Sequence, residues 1–261
     1  MEEFKKPLTL DEMIVHLKKK KRVVFKKISE EEAKEILYKY NYVNIITPFK
    51  HRFAVKYKGK LVKQNNDHVY KRDVDFLEYY TLYKNERSSY QVIYNNILSL
   101  ETLFNAILSY EIMHKYKINS LSKYIIFIDD LTQNIDNKDF NETRREKTKT
   151  TLLSIKALIE NKTIYLLLDR LKLYETTTIF SLLPNKIKQT IYTKLFAQYT
   201  LFKPKSIKDF EYLMSKIIII RNYICHCNSL EVLTYFNTTK RELRKDSHRK
   251  IYNKIINNLA K

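Results

Sequence analysis

The chain has 261 residues and a mass of 31.6 kDa, with 49 Lys and Arg against 29 Asp and Glu, a net charge of +20. Its one glycine, Gly59, excludes the glycine-rich phosphate loops of dinucleotide-binding proteins, Walker-type nucleotidases and kinases, and disfavours sandwiches and barrels built from tight turns with positive φ. At 44% hydrophobic the chain is too apolar for a disordered protein, and what remains is an all-α protein, a helical bundle of one large domain or two.

In chain order, Thr9 with Glu12 predicts a capping box before Met13, Ile14 and Leu17, and Ser29 with Glu32 predicts another before Ala33, Ile36, Leu37 and Tyr40. Between them lies the basic joint Lys18-Lys19-Lys20-Lys21-Arg22, followed by Lys26 and Lys27. Two capped helices around a basic joint have the form of a helix-turn-helix, or of a plain helical hairpin with a solvated face. Residues 41–72 read as irregular; Tyr42 to Tyr57 is aromatic and β-branched, which predicts a short strand pair with Gly59 in a turn.

Helices resume at about Asp73. Ser89 to Tyr116 carries Ile93, Ile97, Leu100, Phe104, Ile107 and Leu108 at helical period. Residues 119–142 are mixed, with a polar loop over Asn134–Asn141. Glu142–Leu168 reads as helical with a break near Asn161. Pro184 suits the first turn of a helix to about Tyr199. After Pro204, Ser206 starts a helix with Phe210, Leu213, Ile217, Ile220 and Ile224 at steps of 3, 4, 3 and 4, a core-facing seam. A basic helix over about Lys240 to Leu259 closes the chain.

Basic charge gathers at the two ends. Residues 1–72 hold 19 basic and 9 acidic residues, residues 73–150 hold 10 and 12, and residues 151–261 hold 20 and 8. This divides the chain into a basic N-terminal helical segment, 1–72, and a helical domain, 73–261. So large an excess points to a polyanionic partner, nucleic acid or an anionic membrane, although an AT-biased genome accounts for part of the lysine. The longest purely apolar run of the last core helix, Ile217–Ile220, is far short of the ~18 residues of a membrane span, and Met1 to Asp11 lacks the apolar core of a signal peptide. Cys225 and Cys227 are too close for an ordinary disulfide and too few for a zinc site; they read as reduced thiols of a cytoplasmic protein.

The residues with most chemistry stand at the end of the long helix: Arg221-Asn222-Tyr223-Ile224-Cys225-His226. A histidine, with a reference pKa of about 6.5, can take the proton of a ribose 2′-hydroxyl near neutrality. An arginine can hold the phosphate and its developing charge. Asn222 and His226 share a helix face. Arg221 and His226 lie roughly 140° apart around an ideal helix, so they can serve one phosphate only if the helix ends near His226 or if two protomers share a cleft. A second Arg–His pair, Arg241 with His248, reads as a solvated face. His16, His51, His68 and His114 have no metal-ligand spacing. Glu101 is either a surface charge or a partner that orients Arg221 or His226.

In the order and spacing of Pro7-Leu8-Thr9-Leu10-Asp11-Glu12-Met13, Ile28-Ser29-Glu30-Glu31-Glu32-Ala33, Leu37-Tyr38-Lys39-Tyr40-Asn41-Tyr42, Phe76-Leu77-Glu78-Tyr79-Tyr80-Thr81-Leu82-Tyr83, Ile97-Leu98-Ser99-Leu100-Glu101, and Arg221-Asn222 with His226 and Leu230, the chain resembles the Abi-like proteins of bacterial phage defence, the AbiD/AbiF group. The resemblance implies a HEPN-type helical bundle that dimerises and cleaves RNA without a metal, with Arg221, Asn222 and His226 as its catalytic segment. It also implies pairing with a small structured RNA that restrains the toxin. Members often carry Asp-Arg-x-Leu-Arg after the tyrosine, where this chain reads Lys84-Asn85-Glu86-Arg87-Ser88-Ser89; Arg87 alone corresponds. The expected function is an abortive-infection endoribonuclease leaving 2′,3′-cyclic phosphate ends. It needs no cofactor and contacts RNA through Lys18, Lys19, Lys20, Lys21, Arg22, Lys26, Lys27, Arg241, Arg244, Lys245, Arg249 and Lys250. The rival readings are a non-catalytic binder of structured RNA and a helix-turn-helix regulator of DNA.

Overall fold

The computed structural model describes residues 7–58, 60–65, 67–160, 171–202, 204–235 and 246–261, with the backbone alone at 60, 159, 160, 235 and 246–249. The described residues are mostly helical, as the glycine count predicts. Asn161, Lys240, Arg241, Arg244 and Lys245, and the side chains of His248 and Arg249, lie outside them. The chain forms two compact units: residues 1–91 with 223–253, and residues 92–222 with 254–261.

The first unit opens as the sequence predicts. Helix α1 (Leu10–Lys21) and helix α2 (Glu30–Tyr40) each start with a full capping box, Thr9 with Glu12 and Ser29 with Glu32. Such boxes are local and depend on neither core nor partner. Arg22 ends α1 in the left-handed region, φ 52°, and the chain enters strand β1 (Val23–Val24). This pairs in parallel with β6 (Val74–Asp75). Ile14 and Leu17 of α1, Ala33 and Leu37 of α2 and Val23 of β1 share one core with Phe76, Tyr79 and Tyr83.

Between them, residues 42–53 are not a strand but two single-turn helices, α3 (Tyr42–Ile45) and α4 (Lys50–Phe53). Asn41 Oδ1 accepts from Val43 N–H at 3.0 Å and starts the first of them, a side-chain cap that outweighs the β-preference of the aromatic run. The expected strand pair flanks position 59, and a second pair follows it. β2 (Lys56–Tyr57) pairs with β3 (Lys60–Leu61), and β4 (Lys63–Gln64) with β5 (Asp67–His68). Lys58 and Asn65 take positive φ in the turns.

Helix α5 (Phe76–Tyr116) runs 41 residues. Asp75 caps it: Oδ1 accepts from Leu77 N–H at 2.9 Å, while Glu78 accepts from the Asp75 N–H at 3.2 Å. Asp75 is buried, and its Oδ2 also takes the N–H groups of Lys26 and Lys27 at 2.9 and 3.1 Å.

The second unit is built on the remainder of α5, with helices α6 (Leu121–Gln133), α7 (Glu142–Glu160), α8 (Leu173–Leu182), α9 (Asn185–Gln198) and much of α10 (Ile207–Cys225). Ile93, Ile97, Leu100, Phe104 and Leu108 are buried, as their period predicts. Phe104, Phe180 and Phe210 meet edge to face with centroids 5.3–5.7 Å apart, the geometry that ring quadrupoles favour. On α10 the buried positions are Phe210, Met214, Lys216, Ile217 and Ile220; Leu213 and Ile224, placed in the seam by spacing, are half-buried. Among the described residues, no helix is long and apolar enough to cross a membrane. The chain ends with α11 (Leu230–Tyr235) and α12 (Asp246–Leu259).

Candidate functional site

Arg221 and Asn222 belong to the second unit and His226 to the first. In the second unit, Arg221 is fixed by Glu101. The Arg221 Nε–H donates to Glu101 Oε2 at 3.2 Å, and the other carboxylate oxygen accepts the Leu173 N–H at 3.0 Å. Leu173 is the first residue of α8, so one buried carboxylate meets both a guanidinium and a helix N-terminus. Glu101 is therefore the buried partner of Arg221. The Arg221 side chain keeps 26% of its exposure. Asn222 is exposed.

In the first unit, α10 ends at Cys225. Asn228 N–H donates to Tyr223 O at 2.8 Å and Cys227 N–H to Ile224 O at 3.0 Å. These are the two bonds of a Schellman motif, with His226 as the C-cap and Cys227 in the left-handed position, φ 53°. A glycine normally sits there; a cysteine costs about 1 kcal/mol. His226 is exposed, and its ring makes no hydrogen bond among the described residues.

The segment after His226 is clamped to α5. Arg87 donates through Nη2 to the Cys227 carbonyl, and its guanidinium lies 5.1 Å from the Tyr83 ring centre and 4.8 Å from that of Tyr90. Tyr90 Oη donates to Asn228 O at 2.6 Å and accepts from Leu230 N–H at 3.1 Å. Glu86 Oε1 accepts from Ser229 Oγ at 2.8 Å and from Glu231 N–H at 2.7 Å, so it caps α11. Burial pushes the Glu86 carboxyl up, opposed by those same bonds. Glu231 is itself held: Arg52 grips both carboxylate oxygens at 2.8 and 2.7 Å, and His51 Nε2 stands 2.8 Å from Oε1. Burial pushes Glu231 up, but the bonds from His51 and Arg52 outweigh it and bring the pKa down to about 2. Burial lowers the His51 pKa, against the opposing pull of Glu231.

Sequence reasoning missed Glu86, Tyr90 and Glu231. Their partners lie some 140 to 180 residues away, and the one signal present was the Glu86-Arg87 pair after the tyrosines.

The basic residues of the N-terminal joint divide into two sets. Lys18 pairs with Glu30, Lys20 with Asp67 at 3.0 Å and Arg22 with Asp73 at 2.8 Å. Lys21 is buried, and burial lowers its pKa, against the opposing pull of Asp67 and with the help of Lys20 and Lys63. Lys19, Lys26 and Lys27 are exposed and form no ion pair among the described residues. Lys250 is exposed. Among the described residues no group of three His, Cys, Asp or Glu side chains is arranged to hold a metal ion. Comparisons with family models, curated proteins and solved structures return no match.

Proposed function

We propose that the chain is an endoribonuclease of the abortive-infection type that acts without a metal and is bound and restrained by a small structured RNA. The observation that supports the reading is the hydrogen bond from Arg221 Nε–H to Glu101, which fixes a side chain that keeps 26% of its exposure. In the reaction, His226 takes the proton of the ribose 2′-hydroxyl and the 2′-oxygen attacks the adjacent phosphorus. Arg221 stabilises the charge on the equatorial oxygens, and Asn222 orients the scissile group. The P–O5′ bond breaks, and the leaving oxygen takes a proton from the imidazolium of a second protomer or from water. The products are a 2′,3′-cyclic phosphate and a 5′-hydroxyl. A homodimer in the cytoplasm supplies the second histidine. The HEPN form of the bundle and the helix-turn-helix role of α1 and α2 belong to the same proposal.

Incubation of the pure protein with total RNA in a chelator tests this. Cleavage by wild type, lost in His226→Ala and Arg221→Ala while both still bind RNA, supports the reading; cleavage that persists in His226→Ala refutes the site.

A second reading is favoured by the same ion pair. A guanidinium engaged by a buried carboxylate can serve as a structural tie, and the chain is then a structured-RNA binder without turnover. Binding with no products in any condition selects it.

A further inference from the structure

Residues 144–219 line a groove to which the sequence pattern assigns nothing. It lies wholly in the second unit between α7, α8 and α10, with a volume of about 620 Å³. Three cations line it, Arg144, Lys147 and Lys208. All are exposed, and none forms an ion pair among the described residues. The carboxylate on the lining, Glu211, is already paired with Lys188 at 2.7 Å. The groove therefore offers net positive charge.

Two tyrosines, Tyr174 and Tyr212, also line it and are 37% and 40% exposed. Lys216 lies 5.0 Å from the Tyr212 ring centre. The remaining lining is rich in hydroxyls with a particular polarity. Thr151, Thr177, Thr178 and Ser215 each donate to a carbonyl of their own helix, three or four residues back. Their hydrogens are spent, and what they turn toward a ligand is lone pairs.

Cations for phosphates, ring faces for bases and acceptors for ribose 2′-hydroxyls together describe one ligand class. We propose that this groove binds single-stranded RNA and prefers it to DNA, because only RNA brings a 2′-hydroxyl donor to each acceptor. The α10 wall also has a direction. Lys208, Tyr212, Ser215 and Ile219 follow at steps of 4, 3 and 4, and the next step of 3 reaches Asn222. The stripe is thus one face of a helix, running ~21 Å from Lys208 to Asn222 at about 1.5 Å per residue. A strand laid along it from α7 and α8 leads to the exposed Asn222 beside Arg221. The groove stands apart from the nuclease reading, since it requires binding and not turnover.

The test uses the full chain carrying His226→Ala, so that no cleavage intervenes. Anisotropy is measured with a fluorescent unstructured RNA 12-mer and the DNA of the same sequence. The expected results are tighter binding of the RNA and a loss of at least about fivefold in Tyr212→Ala, the effect of one lost stacking contact. In Lys147→Glu with Lys208→Glu, the salt slope should fall by about 1.4, or ~0.7 per lost phosphate contact. Thermal melting confirms that each variant is folded, and Tyr174→Ala replaces Tyr212→Ala if that variant is not. Unchanged RNA affinity in folded groove variants overturns the site. Equal affinity for RNA and DNA overturns the ligand class.

Discussion

Arg221 on α10 and Glu101 on α5 are 120 residues apart and meet through one hydrogen bond of 3.2 Å, with the second carboxylate oxygen spent on the first N–H of α8. The bond fixes the edge of the guanidinium farthest from its terminal nitrogens. Replacing Glu101 with Gln keeps the shape but removes the charge. It should lower cleavage by ~10–100-fold, the usual effect of losing an orienting partner, and destabilise the fold by about 1–3 kcal/mol. Urea unfolding and single-turnover cleavage separate the two effects. Full activity in a stable Glu101→Gln protein would reduce the contact to packing.

Arg87 is the corresponding tie in the first unit. Its guanidinium lies within cation–π distance of the Tyr83 and Tyr90 rings and holds the Cys227 carbonyl. Replacement by Met should cost about 2 kcal/mol from the lost charge-assisted bond and ring contacts, and should raise amide exchange over residues 226–231. Cys227→Gly should stabilise by roughly 0.5–1 kcal/mol, because glycine takes a positive φ without strain. Faster exchange confined to other segments would contradict the clamp.

Glu231 sets an acid limit. Its folded pKa of about 2 lies below the ordinary 4.5, so the stabilisation is fully present above pH ~4.5 and is lost as pH falls toward ~2, on the order of 3 kcal/mol in all. In Glu231→Gln this loss of stability between pH ~4.5 and ~2 should be absent. Parallel acid-unfolding curves for the two proteins would show that the carboxylate carries none of it.

Charge at the N-terminal joint should sort by whether each side chain is already paired. Ala at Lys19, Lys26 and Lys27 should each weaken RNA binding and reduce the salt slope by up to ~0.9. Ala at Lys20 or Arg22, whose partners are Asp67 and Asp73, should change the slope less. Those exposed pairs add little to stability. The reverse order of slopes would contradict the division.

What the sequence reveals is what is local. Thr9 with Glu12 and Ser29 with Glu32 cap their helices through contacts three residues apart. Ser206 does the same for α10, accepting from Asp209 N–H at 3.1 Å. Asp75 with Glu78 has the same spacing and is readable by the same rule. The Glu101 partnership with Arg221 is one of two readings, since helix period places Glu101 beside an apolar stripe but cannot say what faces it. Residues 42–53 mislead because aromatic and β-branched residues fit a strand, whereas Asn41 caps a helical turn. The Glu86–Glu231 and Arg52–Glu231 contacts are illegible, because nothing local links chain positions so far apart.

The central claim is that His226 takes the 2′-proton of an RNA. The most direct measurement is end chemistry: RNA recovered with wild type and with His226→Ala, in chelator, mapped for 2′,3′-cyclic phosphate and 5′-hydroxyl termini. Wild type should leave discrete cyclic-phosphate ends that are absent with His226→Ala, both proteins carrying the same bound RNA. Identical ends in both samples would contradict it and leave Arg221 and His226 as parts of the scaffold.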